Sequence, residues 1–171
     1  MRKTKNEELN RLTPEEFKHS EKLNCVLVLD DVRSAMNVGS AFRTSDSFGV
    51  EKIYLCGITA QPPHREINKT ALGAQDTMDW EHIEKIESLL LDLKNSGFAV
   101  LAVEQADESE SLLDFKPDPR KKYAFVFGNE VFGVKDTVVE GADFVLEIPQ
   151  YGTKHSLNIS VSMGVVLWDF L

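Results

Sequence analysis

Three short polar segments contain residues whose types and order could hold an anion or bring a ligand close to the backbone. The first is Asn37-Val38-Gly39-Ser40-Ala41-Phe42-Arg43. If a helix opens at Val38, its first turn offers backbone N–H donors, and Arg43 follows about one and a half turns later. That arrangement suits a phosphodiester. The plainer alternative is an asparagine cap followed by an exposed arginine. The second segment, Gly128-Asn129-Glu130-Val131-Phe132-Gly133, is a loop bracketed by glycines, which let a ligand approach the backbone closely. Glu130 within it can accept hydrogen bonds, although an ordinary strand-to-helix turn would look the same. The third, Ile148-Pro149-Gln150-Tyr151-Gly152-Thr153-Lys154-His155-Ser156-Leu157-Asn158, carries Ser156 and Asn158, which could contribute polar contacts or simply cap a helix.

Better-known signatures are missing. No G-x-G-x-x-G follows a strand, so a dinucleotide site lacks its phosphate turn. Gly128–Asp136 resembles a P-loop only superficially, because Lys135 is one place late and is followed by Asp, and Glu130 would put a carboxylate where phosphate must lie. His19, His64, His82 and His155 have no metal-ligand spacing, so no metal is expected. His155-Ser156 is not a nucleophile elbow, since G-x-S-x-G is absent.

The elements that must position these segments read as alternating strands and helices. Thr13-Pro14-Glu15-Glu16 is a helix start, with a capping hydroxyl, a proline at the first position and a glutamate at the third, and it predicts a short helix to about His19. Cys25–Leu29 is apolar on both faces, as a buried parallel strand should be. A helix is expected from about Val38 to Phe48, and a strand at Ile53–Cys56. Ile83–Asn95 has helically spaced leucines and is followed by Gly97, a natural terminator. Three further strands are expected at Ala99–Val103, Tyr123–Phe127 and Phe144–Ile148. Leu157–Phe170 alternates at first like a strand; read as a helix capped by Ser156 it is apolar around most of its circumference, which implies burial on more than one side. The pattern is that of an α/β protein, a mostly parallel sheet with helices on both faces, whose ligands sit beyond the carboxyl ends of the strands. Residues 1–24 read as a helical extension and 25–171 as a single domain.

Taken in order and with their spacing, N-x-G-x-x-x-R, G-N-E-x-x-G and I-P-x-x-G-x-x-x-S-L-N resemble the three motifs of the SpoU/TrmH family of RNA ribose methyltransferases, in the SPOUT superfamily. The resemblance spans roughly Val26 to Leu171. It implies a C-terminal deep trefoil knot, which no pattern argument would suggest, since knots are rare. It also implies S-adenosylmethionine bound in that knot at Gly128, Ile148 and Leu157, with the strand end near Glu104 a weaker candidate. The catalytic set carried over is Asn37, Arg43, Glu130, Ser156 and Asn158, with Glu130 and Asn37 expected to orient Arg43. The implied reaction is methyl transfer to a ribose 2′-hydroxyl of RNA by a homodimer whose C-terminal helices pack together, which favours the helical reading of Leu157–Phe170. Gln150 stands where many relatives have Met. A SPOUT module that binds without transfer, or one that methylates a base, would share most of these features.

Composition bounds the partners. The 171 residues carry 19 Lys plus Arg against 28 Asp plus Glu, a formal charge of −9, which disfavours broad contact with a phosphate backbone. The acid is concentrated late: residues 123–171 hold two basic and six acidic side chains. With only 24 residues before the first expected strand, RNA would have to be recognised by the domain's own surface, by the N-terminal segment and by Arg65, Lys69 or Lys154, which favours a compact tRNA over rRNA. Cys25 and Cys56 lie in apolar runs without CxxC spacing, as buried thiols in a reducing compartment do. No signal peptide or membrane span is legible, so a cytoplasmic protein is expected.

Overall fold

The computed structural model describes residues 1–171, apart from the side chain of Asn6. Seven strands form one sheet: β1 (Leu23–Asp30), β2 (Val50–Cys56), β3 (Trp80–Ile83), β4 (Phe98–Val103), β5 (Glu110–Ser111), β6 (Lys122–Phe127) and β7 (Phe144–Glu147). Their order is β3-β2-β1-β6-β4-β7-β5, and every neighbouring pair is parallel. The helices are α1 (Pro14–His19), α2 (Ala35–Phe48), α3 (Arg65–Ala71), α4 (Ala74–Thr77), α5 (Ile86–Asn95), α6 (Asp136–Gly141) and α7 (Ile159–Phe170).

The sheet's central strands bury alternate residues on opposite faces. Cys25, Leu27 and Leu29 of β1, with Tyr123, Phe125 and Phe127 of β6, pack with Val38 and Phe42 of α2, Ile67 of α3 and Met163, Val166 and Leu167 of α7. Val26, Val28, Ala124 and Val126 pack on the other side with Ile86, Leu89, Leu90 and Leu93 of α5 and Val138 of α6. This is the two-faced burial that a continuously apolar strand requires. The end of α7 is held by Phe170, whose ring lies edge-on to Tyr123 and Phe125 at 5.3 and 5.2 Å. Cys25 and Cys56 are free and buried, and burial pushes both thiols up to about 12, so they stay protonated.

Several element boundaries differ from the sequence expectation for identifiable reasons. Thr13 and Glu16 form the expected reciprocal box at α1. The next helix begins at Ala35, not Val38, because Ser34 is its cap and its hydroxyl accepts the Asn37 N–H at 3.3 Å. Ile83 belongs to β3, paired with Cys56, and α5 starts three residues later. The last helix is capped by Asn158, whose Oδ1 accepts the Ser160 N–H at 2.9 Å; Ser156 lies outside it, and the helix starts at Ile159 rather than Leu157. β1 begins at Leu23, so the last two residues of the expected 1–24 extension belong to the sheet.

Candidate active site

β1 sits between β2 and β6, so successive connections leave the sheet's centre in opposite directions. Such a switch point opens a crevice beyond the carboxyl ends of the strands. The loops after β4, β6 and β7 enclose a cavity of about 710 Å3 there, and the loop after β1 adjoins it through its hydrogen bonds to the loop after β6. Gly128, Glu130, Ile148, Ser156, Leu157 and Asn158 all line it, together with Glu104. Asn37 and Arg43 do not.

The loop after β6 is held at every step. Asn129 and Gly133 exchange backbone hydrogen bonds at 2.9 and 2.8 Å. Asn129 Oδ1 accepts the N–H groups of Val131 and Phe132, and its Nδ2 donates to the Asp31 carbonyl at 2.8 Å. Gly133 has a φ of +70°, and a Cβ there would lie 2.2 Å from a Glu104 carboxylate oxygen. That carboxylate accepts the Val134 N–H at 2.8 Å. Gly128 is required for a different reason: a Cβ there would meet the Gly133 backbone at 2.2 Å. Its backbone consequently faces the cavity with no side chain of its own.

Glu130 joins this loop to α2. Its carboxylate accepts the Arg33 and Ser34 N–H groups at 2.9 and 3.0 Å, and its Oε1 also accepts from Asn37 Nδ2 at 2.9 Å. The N–H groups that lead into α2 are thus taken by an internal carboxylate, and the Asn37 N–H of its first turn by the Ser34 hydroxyl. Asn37 Oδ1 in turn accepts from Asn158 Nδ2 at 3.3 Å. One chain of hydrogen bonds therefore links all three polar segments through Glu130, Asn37 and Asn158. Partial burial pushes the Glu130 carboxyl upward, but hydrogen bonds from Asn37, Arg33 and Ser34 outweigh this and leave it below its ordinary value of 4.5. A lowered carboxyl contributes stability above the unfolded-state value and loses it as pH falls through the folded one. E130Q should therefore lower stability by about 1–2 kcal/mol at neutral pH. In melting curves taken downward from pH 5, the gap to wild type should narrow.

Arg43 lies on a different face of α2 from Asn37, since six residues correspond to a rotation of about 240°. It is exposed and makes no side-chain hydrogen bond or ion pair among the described residues. The expectation that Glu130 and Asn37 orient its guanidinium gives way to a different arrangement: they fix the start of the helix that carries it. Gly39 is explained by packing rather than by an anion, because α3 crosses α2 there. A Cβ at Gly39 would meet Thr70 Oγ1 at 2.1 Å and the Ile67 carbonyl at 2.4 Å. Ser156 lines the cavity and makes no side-chain hydrogen bond among the described residues.

Two supports were not anticipated from the sequence. Gln105 Nε2 donates to the His155 carbonyl at 2.9 Å, tying the loop after β7 to the end of β4. Lys135, just beyond the loop after β6, bridges Asp30 at 2.9 Å and Asp31 at 2.8 Å. Burial raises the Asp30 carboxyl despite that partner, and the side chain is only 1% exposed. Removing the cation strands a buried charge, which costs about 3–5 kcal/mol for fully buried pairs. Because Lys135 keeps 42% exposure, K135M should lose about 2 kcal/mol in urea unfolding at pH 7, less where Asp30 can protonate. The adjacent pair Asp30-Asp31 was the one available signal for this cluster.

The fold and this cavity define a parallel α/β protein with a crevice at the switch point of its sheet, the place where such sheets take ligands. The family model described as the SpoU rRNA methylase family matches residues 24–168, and the chain belongs to that family. It is 34% identical over 147 residues to the tRNA (guanosine(18)-2'-O)-methyltransferase of Aquifex aeolicus, covering 84% of this chain and 67% of that protein. It is 30% identical over 142 residues to the 23S rRNA (guanosine-2'-O-)-methyltransferase RlmB of Neisseria meningitidis, covering 83% of this chain and 56% of that one. The chain thus spans between half and about two thirds of the length of these relatives. Among solved structures, the TrmH/SpoU tRNA modifying enzyme of A. aeolicus superposes with a TM-score of 0.80 at 27% identity, covering 92% of this chain and 80% of that one. An AdoMet-bound rRNA methyltransferase from Sinorhizobium meliloti gives 0.81 at 25% identity, covering 94% and 60%.

Proposed function

We propose that this protein transfers a methyl group from S-adenosylmethionine to a ribose 2′-hydroxyl of RNA. The observation that carries the reading is the hydrogen-bonded chain Glu130–Asn37–Asn158, which joins the three family segments around one cavity. The ribose is favoured over a base because both curated relatives described above are 2′-O-methyltransferases.

The cavity fits the cofactor. Its volume falls within the roughly 300–1,000 Å3 usual for small-molecule sites. The exposed backbone of Gly128, the apolar walls Ile148 and Leu157, and the polar edge at Glu104 and Gln105 provide contacts for a nucleoside and an amino acid. When bound, S-adenosylmethionine supplies a methyl carbon activated by a positively charged sulfur. The chain's own task is to align a poor nucleophile with it. A guanidinium stays protonated, so Arg43 is a poor base. It is read as gripping the phosphate beside the target ribose and stabilising the alkoxide as the hydroxyl loses its proton to phosphate or water. Glu130 and Asn37 hold the helix that carries it, and Ser156 and Asn158 shape the wall between RNA and cofactor. The C-terminal segment is read as threaded into the deep trefoil knot that the resemblance implies.

The exposed side of α7 supports a homodimer. Val161, Val165 and Trp168 form an outward apolar stripe beside Leu113 and Tyr151, and Trp168 is 73% exposed. An exposed stripe of this kind is an association surface. W168E should convert a dimer to a monomer in light scattering. The substrate is read as a compact RNA such as a tRNA, contacted by Arg65, Lys69 and Lys154. No helix among the described residues is long and apolar enough to cross a membrane. Residues 25–171 are read as one methyltransferase domain in the cytoplasm, where the two buried thiols stay reduced. Among the described residues no group of three or more His, Cys, Asp or Glu side chains is placed to hold a metal ion. The function is tested by incubating the protein with labelled S-adenosylmethionine and RNA from cells lacking it, then resolving the nucleosides by mass spectrometry. A 2′-O-methylnucleoside supports the reading, and cofactor binding without transfer favours a binding module.

A further inference from the structure

We propose that Phe132 is a stacking platform for a nucleobase of the RNA substrate, a reading that rests on the function proposed above. The family pattern G-N-E-x-x-G leaves this position open, so nothing in the motif requires an aromatic there. Phe132 nonetheless carries one, at 85% exposure, on the rim of the cavity. A phenyl ring held in water has no stabilising role in the fold, whereas base stacking on an exposed aromatic is a common and sequence-tolerant way of binding RNA.

The loop holds the backbone that carries this ring in a fixed position. The Phe132 N–H is bonded to Asn129 Oδ1 at 3.2 Å, Gly133 returns the chain through its bridge to Asn129, and Glu130 fastens the loop to the start of α2. A loop ordered before binding loses little backbone entropy when a base arrives. Its surroundings also suit RNA. Glu130 accepts the Arg33 N–H, which puts an exposed arginine beside the loop, so a cation for phosphate accompanies the surface for a base. Neither of the other occupants fits as well. Phe132 is not among the residues of the apolar groove along α7, where a second subunit would lie. Phe132 is far more exposed than the apolar cavity residues Ile148, Leu157 and Ile159, so its ring is the one most open to a ligand outside it.

The test compares wild type with F132A, F132L and F132W, using the RNA fraction that the wild-type protein methylates. Stacking predicts that F132A raises the KM for RNA by about tenfold or more, that F132L fails to restore it and that F132W does. Cofactor affinity by calorimetry and subunit mass by light scattering should be unchanged in all three. If F132L performs like wild type, the contact is merely apolar and the assignment is overturned. It is also overturned if F132A weakens cofactor binding or dissociates the protein. A wild-type protein that methylates no RNA sinks the functional reading and this assignment with it; an active wild type matched by F132A sinks the assignment alone.

Discussion

Replacing Arg43 with alanine should lower the rate of methyl transfer to RNA by roughly 100- to 1000-fold, the loss seen when a charge-stabilising donor is removed from a transition state. The fold should not change. Arg43 is exposed and has no side-chain partner among the described residues, so nothing in the packing depends on it. Cofactor affinity should also be preserved, because Arg43 is not among the residues lining the cavity. R43K separates charge from shape. A lysine keeps the positive charge but not the planar fork that grips a phosphate, so it should recover only part of the activity, and near-full turnover would count against a planar clamp. The measurements are single-turnover kinetics for the rate and calorimetry for cofactor binding.

The second large effect should come from Gly128. Its Cβ would fall 2.2 Å from the carbonyl carbon and oxygen of Gly133 and 2.3 Å from the Val134 nitrogen. All three are backbone atoms, so no side chain can swing aside. G128A must therefore displace the loop after β6, break the Asn129–Gly133 pairing and carry Glu130 away from α2. We expect cofactor affinity to fall by at least about tenfold, with transfer falling further because α2 loses its anchor. G141A is the matching control: a Cβ at Gly141 meets nothing within 4 Å, and it should bind cofactor as wild type does.

The apolar runs Cys25–Leu29 and Tyr123–Phe127 announce buried strands because both faces of each are covered, and the structure pairs them side by side. The polar loops at their ends were legible for the same reason. The partner of Glu130 was not. Its contacts are with Arg33 and Ser34, 97 and 96 residues away, and no local periodicity encodes a pairing at that distance. Lys135 and Asp30 are separated by 105 residues and pose the same problem. β3 and β5 escaped because they are short, and Ile83 falls in phase with the leucines of α5, so a helical count absorbs it. α3 has only Ile67 and Ala71 buried, too weak a stripe to register as a helix. Ser156 looked like the cap of the last helix because Ser and Asn are both good caps; only the backbone shows that Asn158 serves, while its Nδ2 reaches Asn37. The reason for glycine at position 39 was hidden as well, because the sequence cannot show that another helix crosses there.

Alkaline hydrolysis of the labelled product distinguishes a methyl group on a ribose hydroxyl from one on a base. Base cleaves RNA through the free 2′-hydroxyl, so a methyl on that oxygen protects the adjacent phosphodiester, whereas a methyl on a base does not. RNA labelled by the wild-type protein should yield its label in alkali-resistant dinucleotides, and R43A should yield almost none. Label recovered entirely in mononucleotides would rule out ribose methylation and establish a base methyltransferase in its place.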